Sequence, residues 1–169
     1  IKQLSTDKQE AIEADAQDRI EQAQKDSNDR MWADYEALVA KKQASMDRYF
    51  GFLTNINTVY TALATANLNS WYDAEYARIM QSQMSNEDKE KAISTLNEQM
   101  ALKKKNIDEE SAKRERALAI AQAIANTAVA ITTAIKYLPW PLNLPAIAFA
   151  IATGAAQIAA IGGSYSGTG

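Results

Sequence analysis

Residues 113–163 read KRERALAIAQAIANTAVAITTAIKYLPWPLNLPAIAFAIATGAAQIAAIGG, and this stretch decides the fold. It opens with four charged residues and then consists largely of alanine and isoleucine. Three prolines lie close together within it, and a glycine pair closes it. Two apolar runs, 117–138 and 142–161, flank the prolines, and each has about the ~20 residues that a membrane span needs. The pattern predicts a helical hairpin with a Pro-rich loop at 138–145.

The rest of the chain has the opposite composition. Every aspartate and glutamate lies before Ala117, and after that point the only charged residue is Lys136. No proline precedes the loop, and Gly51 is the only glycine before it. A single glycine costs about 1 kcal/mol in a helix and need not break it. The sequence therefore predicts an all-α fold in which a charged helical rod precedes an apolar, alanine-rich tail.

Heptad spacing marks the charged part. From Trp32 onward, apolar residues recur at alternating steps of three and four, which holds one helix against another in a coiled coil. Lys42 breaks this row, and after Leu63 the row drifts, which indicates a change of partner or a stutter in the repeat. The predicted coiled-coil seam consists of Trp32, Tyr35, Val39, Met46, Tyr49, Leu53, Ile56, Tyr60, Leu63, Ile93, Leu96, Met100 and Ile107.

A break is expected just before Ser85. Ser85 is followed three residues later by Asp88, which approximates a capping box at the start of a helix. We therefore expect helices at about 30–81 and 86–136. Residues 1–30 are expected to form a solvated helix that is frayed or supported by a neighbour, or to be partly disordered if alone. A short turn favours folding back as an antiparallel hairpin, while a kinked, extended rod inside an oligomer stays open as the alternative.

The predicted domain organisation has four parts. These are a polar helix and coiled-coil segment at 1–83, the charged start of the second long helix at 84–116, the hydrophobic helical hairpin at 117–163, and a flexible Gly/Ser tail at 164–169. Pro145 suits the first position of the last helix, and Gly162 and Gly163 are expected to stop it. Because the first residue is Ile1, we also expect these residues to come from a longer polypeptide.

The hairpin helices are predicted to carry isoleucine on one face and mostly alanine on the other. The hairpin residues that we single out are Ile120, Ile124, Ile131, Ile135, Trp140, Ile147, Ile151, Gly154, Ile158 and Ile161. Small residues let helix backbones approach closely, in lipid or in a soluble bundle. The hairpin is either buried in an oligomer's core or stored in protein before it inserts into a bilayer. In both cases we expect only companion subunits or lipid to cover it.

Composition also excludes several functions. The chain has no Cys and no His, which removes disulfides, thiolate metal sites and imidazole bases, so we expect no enzyme and no cofactor. The formal net charge of −3 leaves no basic excess for phosphates, and specific nucleic-acid binding is not expected. The acidic run Asp108–Glu110 and the lysines at 103–105 fit a solvated helix face.

Residues 113–131, KRERALAIAQAIANTAVAI, resemble the C-terminal part of phage tail tape-measure proteins. In that family a Pro-rich loop follows such a helix, and a second small-residue helix ends in glycines, as AIATGAAQIAAIGG at 150–163 does here. The segment MSNEDKEKAI at 84–93 is similar to the helix start that often precedes them. The resemblance covers about residues 71–163, whereas residues 1–70 match only as generic coiled coil.

This resemblance implies a structural virion protein that lies in the tail tube lumen and docks at the tail tip or baseplate. It further implies that the protein aids genome delivery through the host membrane after ejection begins. The expected partners are tail tube and tail tip proteins, the host membrane, and further copies of the chain, for which we expect a trimer. The alternative is a pore-forming toxin or a secretion-system translocator, which also joins a coiled coil to a hydrophobic hairpin.

Overall fold

The computed structural model describes residues Lys2–Tyr165, with side chains described for residues 6–163. Within that range the chain forms three α-helices, which are α1 (Lys2–Gln81), α2 (Asn86–Tyr137) and α3 (Asn143–Tyr165). The predicted all-α class is confirmed. By its contacts the chain divides into two units, the first with residues up to Ala44 and Asn126–Thr153, the second with Ser45–Ala125 and the residues from Gly154 onward.

Helix α1 is a single helix because no proline interrupts it and its one glycine is tolerated. A Cβ added at Gly51 would meet nothing within 4 Å, so the glycine serves no close packing. Side chains at positions 6–30 are exposed, as predicted for a solvated helix. Pairs one turn apart support it, for example Arg19 with Asp15, whose Nε and Oδ2 atoms are 3.0 Å apart.

Helix α2 begins directly after the predicted capping residue. The backbone N–H of Asp88 donates to Ser85 Oγ at 3.2 Å, and the Ser85 hydroxyl donates to the Asp88 carboxylate at 2.8 Å. In a complete capping box the carboxylate would instead accept from the backbone N–H of Ser85. Lys89 Nζ donates to the carbonyl of Met80 at 3.0 Å and so ties the new helix to the end of α1.

In the second unit, α1 and α2 fold back on each other. Three hydrogen bonds pair rising positions on α1 with falling positions on α2, namely Gln122 to Asp47 at 2.6 Å, Thr61 to Ser111 at 3.0 Å, and Tyr72 to Asn97 at 2.6 Å. This order is that of an antiparallel hairpin. The structure therefore decides for the hairpin and against the extended rod that the sequence left open.

The interface between α1 and α2 follows an 11-residue repeat. On α1 the buried or half-buried positions recur at Met46, Asn57, Leu68 and Ile79, and on α2 they recur at Leu96, Ile107 and Leu118. Eleven residues in three turns give about 3.67 residues per turn, close to the 3.6 of a straight α-helix. A heptad row drifts by roughly 20° per repeat around such a helix.

The predicted coiled-coil seam is consequently divided. Tyr35 and Leu96 are buried, and the half-buried members are Trp32, Val39, Met46, Leu53, Ile93, Met100 and Ile107. Four other members, Tyr49, Ile56, Tyr60 and Leu63, are 49–60 % exposed. These four have rotated away from the buried row, although Ile56 and Tyr60 still line a groove between α1 and α2. The contact of the four with another chain stays a prediction.

In the first unit, segments of all three helices meet around a small core. Tyr35, Ala134, Leu138 and Ala146 are buried, and against them pack Met31, Trp32, Val39 and Ile147. The rings of Trp32 and Tyr35 meet edge to face with centroids 5.9 Å apart. Helix α1 therefore covers one side of the apolar hairpin. The expectation that only other subunits or lipid would cover the hairpin is wrong for that side.

The Pro-rich loop ends α2 and starts α3 close to the predicted places. Leu138 is buried, and α3 begins at Asn143, so that Pro145 lies in the first turn, where its missing N–H is not needed. The helix continues through Gly162 and Gly163 to Tyr165, and the predicted stop is wrong. Neither glycine has the positive φ that a helix-ending cap requires. Positions 166–169 of the predicted tail lie outside the described residues.

Candidate functional site

The buried positions of the hairpin helices are small residues, and several of the hairpin's large apolar side chains are exposed. In the first unit the buried hairpin positions on α2 and α3 are Ala130, Thr133, Ala134, Ala146 and Ala150. Large apolar side chains of the same unit are 48–77 % exposed, namely Ile135, Tyr137, Trp140, Leu144, Phe149 and Ile151. Small residues allow close backbone approach, so the helices pair without burying these large groups.

The hairpin residues singled out in the sequence separate in the same way. Ile124, Ile135, Trp140 and Ile151 are more than half exposed, and Gly154 is buried. The half-buried members are Ile120, Ile131, Ile147, Ile158 and Ile161. Leu144 and Phe149 also belong to the outward surface, but the sequence pattern did not predict them. The place of Phe149, two residues before Ile151 in a helix without charged residues, was the signal that could have found it.

Polar groups of the hairpin face α1. The Tyr35 hydroxyl donates to the carbonyl of Ala130 at 3.2 Å, and Lys42 Nζ donates to Thr133 Oγ1 at 3.4 Å. Burial, and secondarily the charge of Glu36, raises the pKa of Tyr35, which therefore stays a neutral donor at physiological pH. Lys42 also lies 5.5 Å from the ring centroid of Tyr137, so the lysine that broke the predicted seam has partners on α2.

The two hairpin helices contain stretches with the length and composition of membrane spans. By those two criteria α2 and α3 are long and apolar enough to cross a membrane. Only 22 % of the apolar window of α2 and 17 % of that of α3 are buried within the chain. The core helix of a water-soluble protein would instead bury most of such a window.

A second apolar surface lies on α1 in the second unit. It consists of side chains that are 49–60 % exposed, and we name this set the apolar flank: Tyr49, Phe52, Ile56, Val59, Tyr60 and Leu63. Phe52 and Val59 were missed in the sequence, although steps of three and four from Tyr49 reach both. Beside the flank runs a groove of about 680 Å³ between α1 and α2, lined by Leu53, Ile56, Asn57, Tyr60, Arg114, Ala117, Leu118 and Ala121.

A polar network forms the floor of this groove. Asn57 is only 5 % exposed, and its Oδ1 accepts from Arg114 Nε at 2.6 Å. Its Nδ2 donates to Ser111 Oγ at 3.4 Å. The guanidinium of Arg114 also lies 4.8 Å from the ring centroid of Tyr60. Because buried polar groups need specific partners, this network holds α1 and α2 in one register.

Replacing Asn57 with alanine should lower the free energy of unfolding by about 1–2 kcal/mol, because Arg114 loses its acceptor in a half-buried place. Urea unfolding followed by far-UV circular dichroism measures this. Asn55→Ala is the matched control, since Asn55 is exposed on the same helix. Its change should stay within about 0.5 kcal/mol. Equal effects of the two substitutions would contradict a structural role for the network.

The acidic residues of α2 are arranged as a solvated helix face. Glu109 and Glu110 pair with lysines on their own helix, at 3.7 Å from Lys105 and 3.0 Å from Lys113. In the part of the chain that the structure describes, no group of three acidic side chains is placed to hold a metal ion.

Comparisons of this chain with protein-family models, with curated proteins and with solved structures find no match. The function is therefore inferred from the two exposed apolar surfaces and from the resemblance of residues 71–163.

Proposed function

We propose that this chain is the C-terminal part of a phage tail tape-measure protein, a structural virion protein without enzymatic activity. In this proposal its helices form a homo-oligomeric coiled coil, a trimer, in the lumen of the tail tube. Its C-terminal end docks at the tail tip or baseplate and meets the host membrane during genome ejection. The observation that carries the proposal is the apolar hairpin, where large side chains such as Trp140, Phe149 and Ile151 are exposed while the buried helix positions are small residues.

The first unit suits a hairpin that is stored on protein and later released. Residues 31–43 of α1, which we name the cradle, hold it through a core of few residues. Hydrogen bonds of 3.2–3.4 Å reach from the cradle to α2, among them those donated by Tyr35, Lys42 and Gln43. In this proposal the hairpin leaves the cradle by exchanging this small core and these hydrogen bonds for contacts with lipid or with other hairpins.

Once released, the hairpin meets the main requirement of a bilayer. Its backbone hydrogen bonds are satisfied within its helices, as a bilayer demands. The hydroxyl of Thr132 donates to the carbonyl of Ala128 at 2.8 Å, so this polar side chain is satisfied by its own helix. Self-association of several hairpins through their alanine faces would cover the polar side chains that the cradle covers before release.

The proposal is tested in purified tailed particles that carry this gene. Quantitative mass spectrometry should find peptides of this chain in the tail fraction at about three copies per particle, with the tail tube protein as internal reference. After ejection triggered with host envelope, the peptides should leave the tails and enter the membrane fraction.

Two outcomes would reject the proposal. One is the absence of the chain from particles, and the other is its retention in emptied tails. Recovery of the chain from culture medium, free of particles, would support instead the pore-forming toxin or translocator.

A further inference from the structure

The residues of the apolar flank recur with heptad spacing, whereas the buried residues of the same helix recur every 11 residues. Tyr49, Phe52, Ile56, Val59 and Leu63 follow steps of three and four over two complete heptads. The contact with α2 follows the 11-residue repeat instead. A heptad row is what a helix presents to a partner that coils around it. The spacing of the flank therefore indicates a helical partner other than α2.

Charge points to the identity of that partner. No charged residue occurs from Tyr49 through Tyr72, whereas the opposed stretch of α2, Lys103–Arg116, is densely charged. Charged side chains beside a heptad row select or reject partners, and like charges brought together are destabilising. The neighbours of the row on α1, such as Asn55 and Ala62, are neutral. Two identical flanks therefore bring no like charges of α1 together.

The shape of the flank and of the adjoining groove also favours a second copy of the chain as the partner. The flank carries projecting side chains such as Phe52, which is 60 % exposed. The adjoining groove is open because its α2 wall contains Ala117 and Ala121. The same surface thus carries both projecting side chains and a groove that can receive them. Two copies can therefore pack with the side chains of each in the groove of the other.

Lipid fits this surface less well. Within the described residues only α2 and α3 are long and apolar enough to cross a membrane, and α1 is not among them. Asparagine and threonine, for example Asn55 and Thr58, surround the flank. Such side chains are costly in hydrocarbon but are common on the rim of a protein interface.

We propose that the apolar flank is the surface through which copies of this chain pack together, with α1 at the shared interface and charged α2 toward solvent. Six side chains exposed to this extent offer roughly 600 Å² per copy, near the ~800 Å² per partner of a standard interface. The inference rests on the oligomer of the proposed function and names the surface that joins its copies.

A pair of leucine substitutions tests the flank in the full chain. Leu63 and Leu102 both belong to the second unit, are 59 % and 63 % exposed, and differ in that only Leu63 lies on the flank. In detergent micelles, which cover the hairpin, Leu63→Glu should raise the dissociation constant of the oligomer at least tenfold. Leu102→Glu should leave it unchanged. Sedimentation velocity measures the mass, and circular dichroism checks that both variants keep their helices.

Single cysteines give an independent test, because the natural chain has none. Ile56→Cys should form disulfide-linked dimers rapidly under mild oxidation. Thr58→Cys should not, since Thr58 is exposed but lies about 200° around the helix from Ile56. The ratio of the two cross-linking rates should exceed about tenfold.

Each remaining outcome is decisive. If the Leu63→Glu variant still forms the oligomer, or if both cysteines react at the same rate, the flank does not join the copies and this proposal is wrong. The proposed tail function is not affected by that result. If Leu63→Glu floats less with phosphatidylglycerol-containing vesicles while the mass of the oligomer is unchanged, the flank binds lipid and not a second copy. That result also contradicts the proposal. An oligomer that depends on Leu63 in a chain that never binds these vesicles supports the flank and counts against the proposed membrane function.

Discussion

Replacing Ile151 with lysine should reduce the partition of the full chain into lipid vesicles by roughly a hundredfold. Ile151 is 54 % exposed and lies at the middle of the apolar run 142–161. A lysine at the centre of an inserted helix costs ~2.5–3.5 kcal/mol, whereas isoleucine contributes a few tenths favourably. Since each 1.4 kcal/mol changes a partition constant tenfold, about 3 kcal/mol gives the expected effect. Vesicle flotation over a range of lipid concentrations measures it.

Ile12→Lys is the matched control for this experiment. Ile12 is 69 % exposed in the charged, solvated part of α1, and its replacement should leave partition unchanged. If Ile151→Lys partitions like the natural chain, the hairpin stays on protein and the proposed entry into membrane is wrong. If both variants lose partition equally, the effect reflects net charge and not the position of the hairpin.

Replacing Ala134 with leucine should lower the free energy of unfolding by roughly 2 kcal/mol. Ala134 is completely buried in the core of the first unit, where α1, α2 and α3 meet. Added methylenes have no space there, and overpacking of this kind costs about 1–3 kcal/mol. Because the change weakens the cradle but leaves the outward face intact, vesicle binding should become stronger, opposite in sign to Ile151→Lys. Denaturant unfolding followed by tryptophan fluorescence measures the first effect, and flotation measures the second.

Ala128→Leu serves as its control, since Ala128 is exposed on the same helix. Its free energy of unfolding should change by less than about 0.5 kcal/mol, and its vesicle binding should change little. A stable Ala134→Leu variant would show that the small-residue contact tolerates larger side chains. A destabilised variant with weakened vesicle binding would show that the cradle aids membrane entry and does not delay it.

Helix boundaries were largely predictable because they depend on neighbouring residues. Ser85 and Asp88 form hydrogen bonds within one turn, and the start of α2 follows from them. The Pro-rich loop likewise ends α2 through the fixed backbone of proline, whatever packs around it. The glycine pair failed as a signal, because glycine permits a left-handed cap but does not impose one.

The faces of the helices were less predictable. The heptad row from Trp32, broken at Lys42, predicts one seam as far as Leu63 and a drift only beyond it. Instead α1 follows its own 3.6-residue turn along α2, and Tyr49, Ile56, Tyr60 and Leu63 are already 49–60 % exposed. A difference of a tenth of a residue per turn is too small to detect in any single heptad, yet it accumulates over several. The exposure of Tyr49, Ile56, Tyr60 and Leu63 follows from that accumulated rotation.

Sequence by itself determined the three helices, their breaks, and the division into a charged part and an apolar hairpin, because propensity, capping and proline act over a few residues. Tertiary structure alone decided that α1 and α2 fold back, that small residues occupy the buried positions of the hairpin helices, and that the cradle covers one side of the hairpin. Those outcomes depend on which helix surfaces approach most closely, and that is a property of residue pairs far apart in the chain.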